Sequence, residues 1–134
     1  WSNYIDRQRG SLLGLYKTTV DGMFEEQSAP QTMGDRQGLR QLTLDNNSTK
    51  LQITTEGMVA FSLSHFDDAQ FNYDVFYGGK HPYDLVRSNQ IFAHFDFWQR
   101  GIGNRSCGGD SCLPQYMTPT GAHEFTLRFT PMAK

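Results

Sequence analysis

Two cysteines, four histidines and fourteen carboxylates are the side chains here that could bind a metal, attack a bond or move a proton. Cys107 and Cys112 stand in the glycine-rich stretch "QRGIGNRSCGGDSCLPQY". Two thiolates are half of a tetrahedral zinc site, and no second pair follows. The spacing allows two readings: a short-loop disulfide, which implies an oxidising compartment such as the periplasm, or free thiols, which suit the cytoplasm. His65, His81, His94 and His123 fall on different strands and turns, none beside another His or Cys at metal-ligand spacing. They read as solvated or hydrogen-bonded imidazoles, so no metal site is expected.

A carboxylate pair that splits an acetal sits ~5–10 Å apart across its substrate. The sequence nominates no such pair. Asp96 and Asp110 flank the glycine-rich stretch and are the acids nearest a plausible cleft, and Asp110 reads more simply as a turn residue capping backbone N–H groups. "GIGNRSCGG" has the look of a phosphate loop, but the Lys-Ser/Thr ending is missing and no helical pattern follows.

The elements that must position these residues are strands. From Leu39 onward, "LRQLTL", "KLQIT", "MVAFSLSHF", "QIFAHFDFW" and "HEFTLRF" alternate apolar and polar residues with period two. In the last, Phe125, Leu127 and Phe129 share a face. In "IFAHFDFW", Ile91, Ala93, Phe95 and Phe97 lie on one side and Phe92, His94, Asp96 and Trp98 on the other, so that strand is either central or overlain by another domain. Turns are expected at "DNNSTK", "TEGM", "FYGGKHPYD" and the glycine-rich stretch. A short helix is expected to begin at Phe66 or Asp67. "SLLGLYKTTVDGMFEE" has apolar residues near helical spacing, but Gly14, Gly22 and the Thr-Thr-Val run oppose a stable helix.

Bulk properties agree. Only 37% of residues are hydrophobic, yet 13% are aromatic, ten of them Phe, and a core of few large side chains suits a thin sandwich better than a helical bundle. The expected fold class is all-β, an antiparallel β-sandwich, in one domain spanning residues 1–134. A net charge of -2 with 19% charged residues argues against nucleic acid or an anionic membrane as partner. No apolar run approaches the ~20 residues of a membrane-spanning helix. The chain shows no leader and starts at Trp1 without an initiator Met, which points to a trimmed start.

Five ordered segments resemble a known family. "WSNYIDR" resembles the "GPW-x-NY-x-DR" signature in the last domain of glycoside hydrolase family 2 β-galactosidases. "PQTMGDRQGLRQLTL" is similar to that family's "PQENGNRTDVRWLTL", and "FSLSHFDDAQF" with "KHPYDL" to its "S-x-Y-x-x-x-x-L … H-x-x-x-L". "DFWQRGIGNRSCGGDSCLPQY" looks like its "D-x-x-Q-x-G-x-G-x-x-S-C-G-P-x-x-L-P-x-Y", and "HEFTLRFTPM" like its final strand.

The resemblance implies the C-terminal, small-chain or fifth domain of a longer β-galactosidase, part of a galactose-mutarotase-like super-sandwich. In that family the sandwich packs beside a (β/α)₈ barrel that carries two catalytic glutamates and a magnesium site. The chain is therefore expected to hold no catalytic residue and no cofactor of its own. Its partners would be the barrel and the remaining sandwich, with a β-galactoside met only at the rim. Because Trp1 falls inside the "GPW" motif, the first half of the sandwich is expected to lie outside this chain. Self-association through the uncovered faces or edges is then expected.

In some members the loop reads "GGDDSW", and its Trp stacks on the sugar or aglycone. Aligned on Gly109, Asp110 and Ser111, this chain has Cys112 where that Trp stands, so the stacking role does not carry over. It follows instead a branch matched at Cys107, Gly108, Leu113, Pro114 and Tyr116. Tyr116 has two readings, a substitute aromatic wall or a packing residue that pins the loop. The rim candidates are Asn104, Cys107, Asp110, Ser111, Cys112 and Tyr116. Asp6, Arg7, Gly34, Arg36, Arg40, Asp96, Gly101 and Gly103 match the motif as structural residues, with Asp6 and Arg7 read as a buried ion pair. Thr32 and Met33 replace the family's Glu-Asn, so any carboxylate role at that point is lost. The alternative function is an independent carbohydrate-binding sandwich presenting Trp98, Tyr73, Tyr77 or Tyr83. A self-contained hydrolase has neither a nucleophile motif nor an acid pair behind it.

Overall fold

The computed structural model describes residues 14–24, 35–71, 82–101 and 112–133. Five strands form two antiparallel sheets. β1 (Leu42–Asp45), β2 (Lys50–Thr55) and β5 (Leu127–Met132) make one in the order β1-β2-β5, and β3 (Ala60–Ser64) pairs with β4 (Phe92–Asp96) in the other.

The β1–β2 hairpin follows from "DNNSTK". The Asn46 side-chain oxygen accepts the backbone N–H groups of Ser48 at 3.1 Å and Thr49 at 2.8 Å, and both hydroxyls besides. Asn47 takes φ 69°, a left-handed conformation that Asn tolerates better than most residues. The turn sets the register Leu42↔Ile53 and Leu44↔Leu51. Leu42, Leu44, Leu51 and Ile53 consequently share a face, and β5 adds Leu127 to it.

That face packs on Leu63, Phe61 and Phe95 of the second sheet, with Leu39 and Met23 closing the core. The expected antiparallel, sandwich-like all-β class is what the chain adopts. Met23 comes from α1 (Val20–Met23), a single turn whose N-cap Thr19 accepts Gly22 N–H at 3.1 Å. The "TTV" run that opposes a long helix thus supplies the cap of a short one. The helix expected at Phe66 or Asp67 is a 3₁₀ turn, Asp68–Phe71, with the Asp67 carboxylate accepting Ala69 N–H.

The structure departs from the alternation pattern at Phe125. β5 begins at Leu127, and Phe125, expected to share its inner face, stacks on Phe97 at 4.2 Å instead. The period-two pattern runs past the ladder because residues 123–126 cross to the end of β4. Among the described residues β3 is the one strand partner of β4, so of its two expected readings these residues do not show the central one. The far edge of β3 is covered by residues 36–39, with Arg36 and Phe61 exchanging backbone hydrogen bonds at 2.9 and 2.8 Å.

Candidate functional site

Alternation along β3 and β4 gives their sheet two unlike faces. Phe61, Leu63 and Phe95 turn to the core. Ala60 and Asp96, paired across the strands, turn outward together with Gln37 and Trp98. On that outer face lies a groove of about 420 Å³, lined among the described residues by Gln37, Ala60, Asp96, Trp98, Gln99 and Tyr116, with Met58, Pro114 and Met117 around them. No hydrogen bond engages the half-buried Asp96 carboxylate among the described residues.

The glycine-rich loop is closed at its neck beside this groove. Buried Gly101 donates its N–H to the Tyr116 carbonyl at 2.8 Å. The returning strand of the neck is a 3₁₀ turn, Pro114–Tyr116, in which Tyr116 N–H reaches the Leu113 carbonyl at 2.9 Å. Proline at the first position suits this turn, since its ring presets φ and no donor is needed there. The Tyr116 backbone carbonyl thus holds the neck, and its half-buried side chain lines the groove.

The groove's aromatic wall is held in place. The Trp98 indole packs at a tilt on the His123 imidazole, with ring centroids 4.3 Å apart. His123 Nε2 lies 3.1 Å from the Pro119 carbonyl that accepts from it. Trp98 nevertheless remains 43% exposed.

From the groove-lining, half-buried Gln37 and Gln99 a polar chain that sequence reasoning missed leads to a buried carboxylate. Asp35 is 2% exposed. Its Oδ2 accepts from Gln99 Nε2 at 2.5 Å, and Gln99 Oε1 accepts from Gln37 Nε2 at 2.7 Å. Asp35 Oδ1 is buried without a hydrogen-bond partner. The Asp35 carboxyl is pushed up to about 6: burial is the largest cause and nearby Asp96 adds to it, against the opposing pull of the Gln99 amide and Arg36. The available signal was small: the resembling family stretch reads Asn where this chain has Asp35.

The remaining candidates divide simply. Asp6, Arg7, Gly34, Gly103, Asn104, Cys107, Asp110 and Ser111 lie outside the described residues, as do Thr32, Met33, His81, Tyr73 and Tyr77. Cys112 is half-buried near the neck, and its pairing with Cys107 falls outside the described part. Arg36 sits in the bridge to β3, whereas Arg40 is exposed. Tyr83 is exposed and takes no part in the groove. The three described histidines are hydrogen-bonded as expected: His65 Nδ1 to the Ser88 and Gln90 carbonyls, His94 to Asp68 at 2.8 Å, and His123 as above. Among the described residues no three His, Cys, Asp or Glu side chains converge as a metal site would require, and no helix is long and apolar enough to cross a membrane.

Two antiparallel sheets over a common core, with a pinned loop and an aromatic groove on one outer face, define a β-sandwich module. Over residues 1–130 the chain matches the beta-galactosidase small chain family, and it belongs to that family. It is similar to a beta-galactosidase of Actinobacillus pleuropneumoniae, 28% identical over 95% of this chain and 11% of the relative. It is likewise similar to one of Aeromonas hydrophila, 29% identical over 90% of this chain and 11% of the relative. A third, from Streptococcus thermophilus, is 26% identical over 95% of this chain and 12% of the relative. The chain thus spans about a tenth of the length of these curated relatives.

Proposed function

We propose that this chain is one non-catalytic accessory domain of a glycoside hydrolase family 2 β-galactosidase, an enzyme that removes terminal β-D-galactosyl residues. In this reading the catalytic glutamates and a magnesium ion belong to a barrel elsewhere in the parent. The chain lends residues 103–116 to the rim of the active site, on the aglycone side. The observation that carries the reading is the neck: Gly101 N–H bound to the Tyr116 carbonyl fixes both ends of the loop beside a groove that Tyr116 itself lines. A loop with fixed ends loses less entropy when it meets a neighbouring surface than one free at its root.

Kinetics of the full-length parent test it. Tyr116→Ala removes a contact worth about 1 kcal/mol by analogy with aromatic pairs, so KM rises roughly fivefold while kcat stays within a few fold. Asp110→Asn acts in the same direction if its carboxylate meets a hydroxyl. A collapse of kcat at unchanged KM contradicts the rim role. Unchanged kinetics with a lowered melting temperature return Tyr116 to a packing role.

A further inference from the structure

We infer that the groove on the outer face of β4 is a binding site for a neutral pyranoside, with Trp98 as its stacking platform and the Asp96 carboxylate as its hydroxyl acceptor. The site belongs to this chain alone and does not depend on the rim role proposed above.

A pyranose ring has two chemistries: a face of C–H groups and an edge of hydroxyls. It needs a flat aromatic surface for the first and a cluster of acceptors and amide groups for the second. The groove offers both on one sheet face. Asp96 and Trp98 are two residues apart, hence roughly 7 Å between Cα atoms, a span suited to one six-membered ring and its hydroxyls. The Asp96 carboxylate has no hydrogen bond among the described residues, so both oxygens are available to two neighbouring hydroxyls. The volume, about 420 Å³, lies within the usual range for small-ligand sites.

The walls are ordered before any ligand arrives. Trp98 is backed by His123, and Gln37 and Gln99 are hydrogen-bonded to one another and through Gln99 to Asp35. Little rotamer freedom is left to lose, which favours binding. Charge then selects the class of sugar. The Asp96 carboxylate at the wall, with Asp35 behind it, repels uronates and sugar phosphates and leaves neutral pyranosides. A half-open groove with one aromatic face fits a dissociation constant in the millimolar range.

The test uses the 134-residue chain, isotopically labelled, titrated at neutral pH with methyl β-D-galactopyranoside, methyl β-D-glucopyranoside and methyl β-D-glucuronide. The Trp98 indole N–H resonance, distinguished from that of Trp1 by substitution, shifts and saturates with at least one neutral glycoside. Asp96→Asn weakens this binding at least fivefold with the amide spectrum otherwise preserved. Followed by the backbone amides around the groove, Trp98→Ala abolishes it, and Trp98→Phe, which keeps a ring, retains it within about threefold, so the loss is not one of folding. The inference is overturned if Trp98 stays silent with both neutral glycosides up to roughly 100 mM. It is overturned equally if Asp96→Asn binds like the parent chain or the glucuronide binds as well as the neutral sugars. None of these outcomes bears on the KM test of the rim, because no barrel is present.

Discussion

Replacing Asp35 by asparagine removes a titration from the interior while nearly keeping its shape. Burial lifts the carboxyl from its ordinary 3.8 to about 6. Between those values the folded chain holds a proton that the unfolded chain has released, so this group makes stability fall as pH rises through the window and leaves it level above about 6. A shift of roughly two units corresponds to about 3 kcal/mol lost between low pH and neutrality. The substituted amide would still accept from Gln99 through its side-chain oxygen, but its N–H₂ group takes the place of the unpartnered Oδ1, at a cost of about 1 kcal/mol. Asp35→Asn therefore stabilises the chain by about 2 kcal/mol near pH 8 and destabilises it by about 1 kcal/mol near pH 3.5. Urea unfolding followed by tryptophan fluorescence at a series of pH values measures both ends. A difference between the two chains that stays constant within about 0.5 kcal/mol across the range refutes the buried-carboxylate argument.

Ile53 is 2% exposed between the sheets, so Ile53→Ala should cost about 3–4 kcal/mol and Ile53→Val about 1, read from the same unfolding curves. Asn46→Ala strips the hairpin turn of its acceptor and should cost about 1–2 kcal/mol, with β1–β2 amides gaining the most in hydrogen exchange. Phe125 and Phe129 are 61% and 55% exposed beside the edge of β5 that pairs with no strand among the described residues, and the chain should self-associate there. Sedimentation at rising concentration should show the association, and Phe129→Lys should weaken it at least tenfold; a strict monomer would exclude that surface.

Period two made β2 and β3 legible because a half-buried strand must alternate, and Ile53, Phe61 and Leu63 sit where alternation puts them. The same rule overran at Phe125, because alternation records which way side chains point and not where the ladder ends. The outward set Asp96 and Trp98 was also readable, which is why half of the groove could be named from the sequence. The other half could not. Nothing in "GDRQG" marks its acid as buried, and the partner of Asp35, Gln99, lies 64 residues on. The neck was equally silent, since a bond between the backbones of Gly101 and Tyr116 leaves no mark on side-chain pattern.

That neck has a consequence for engineering. A hydrogen bond that ties Gly101 to Tyr116 separates the frame from whatever is strung between them. Doubling the length of a flexible insert raises its closure entropy by only about 0.6 kcal/mol, so the sheets behind the neck scarcely register its composition. A relative's loop grafted between these two residues should leave the sandwich folded, because the frame is held by its own packing.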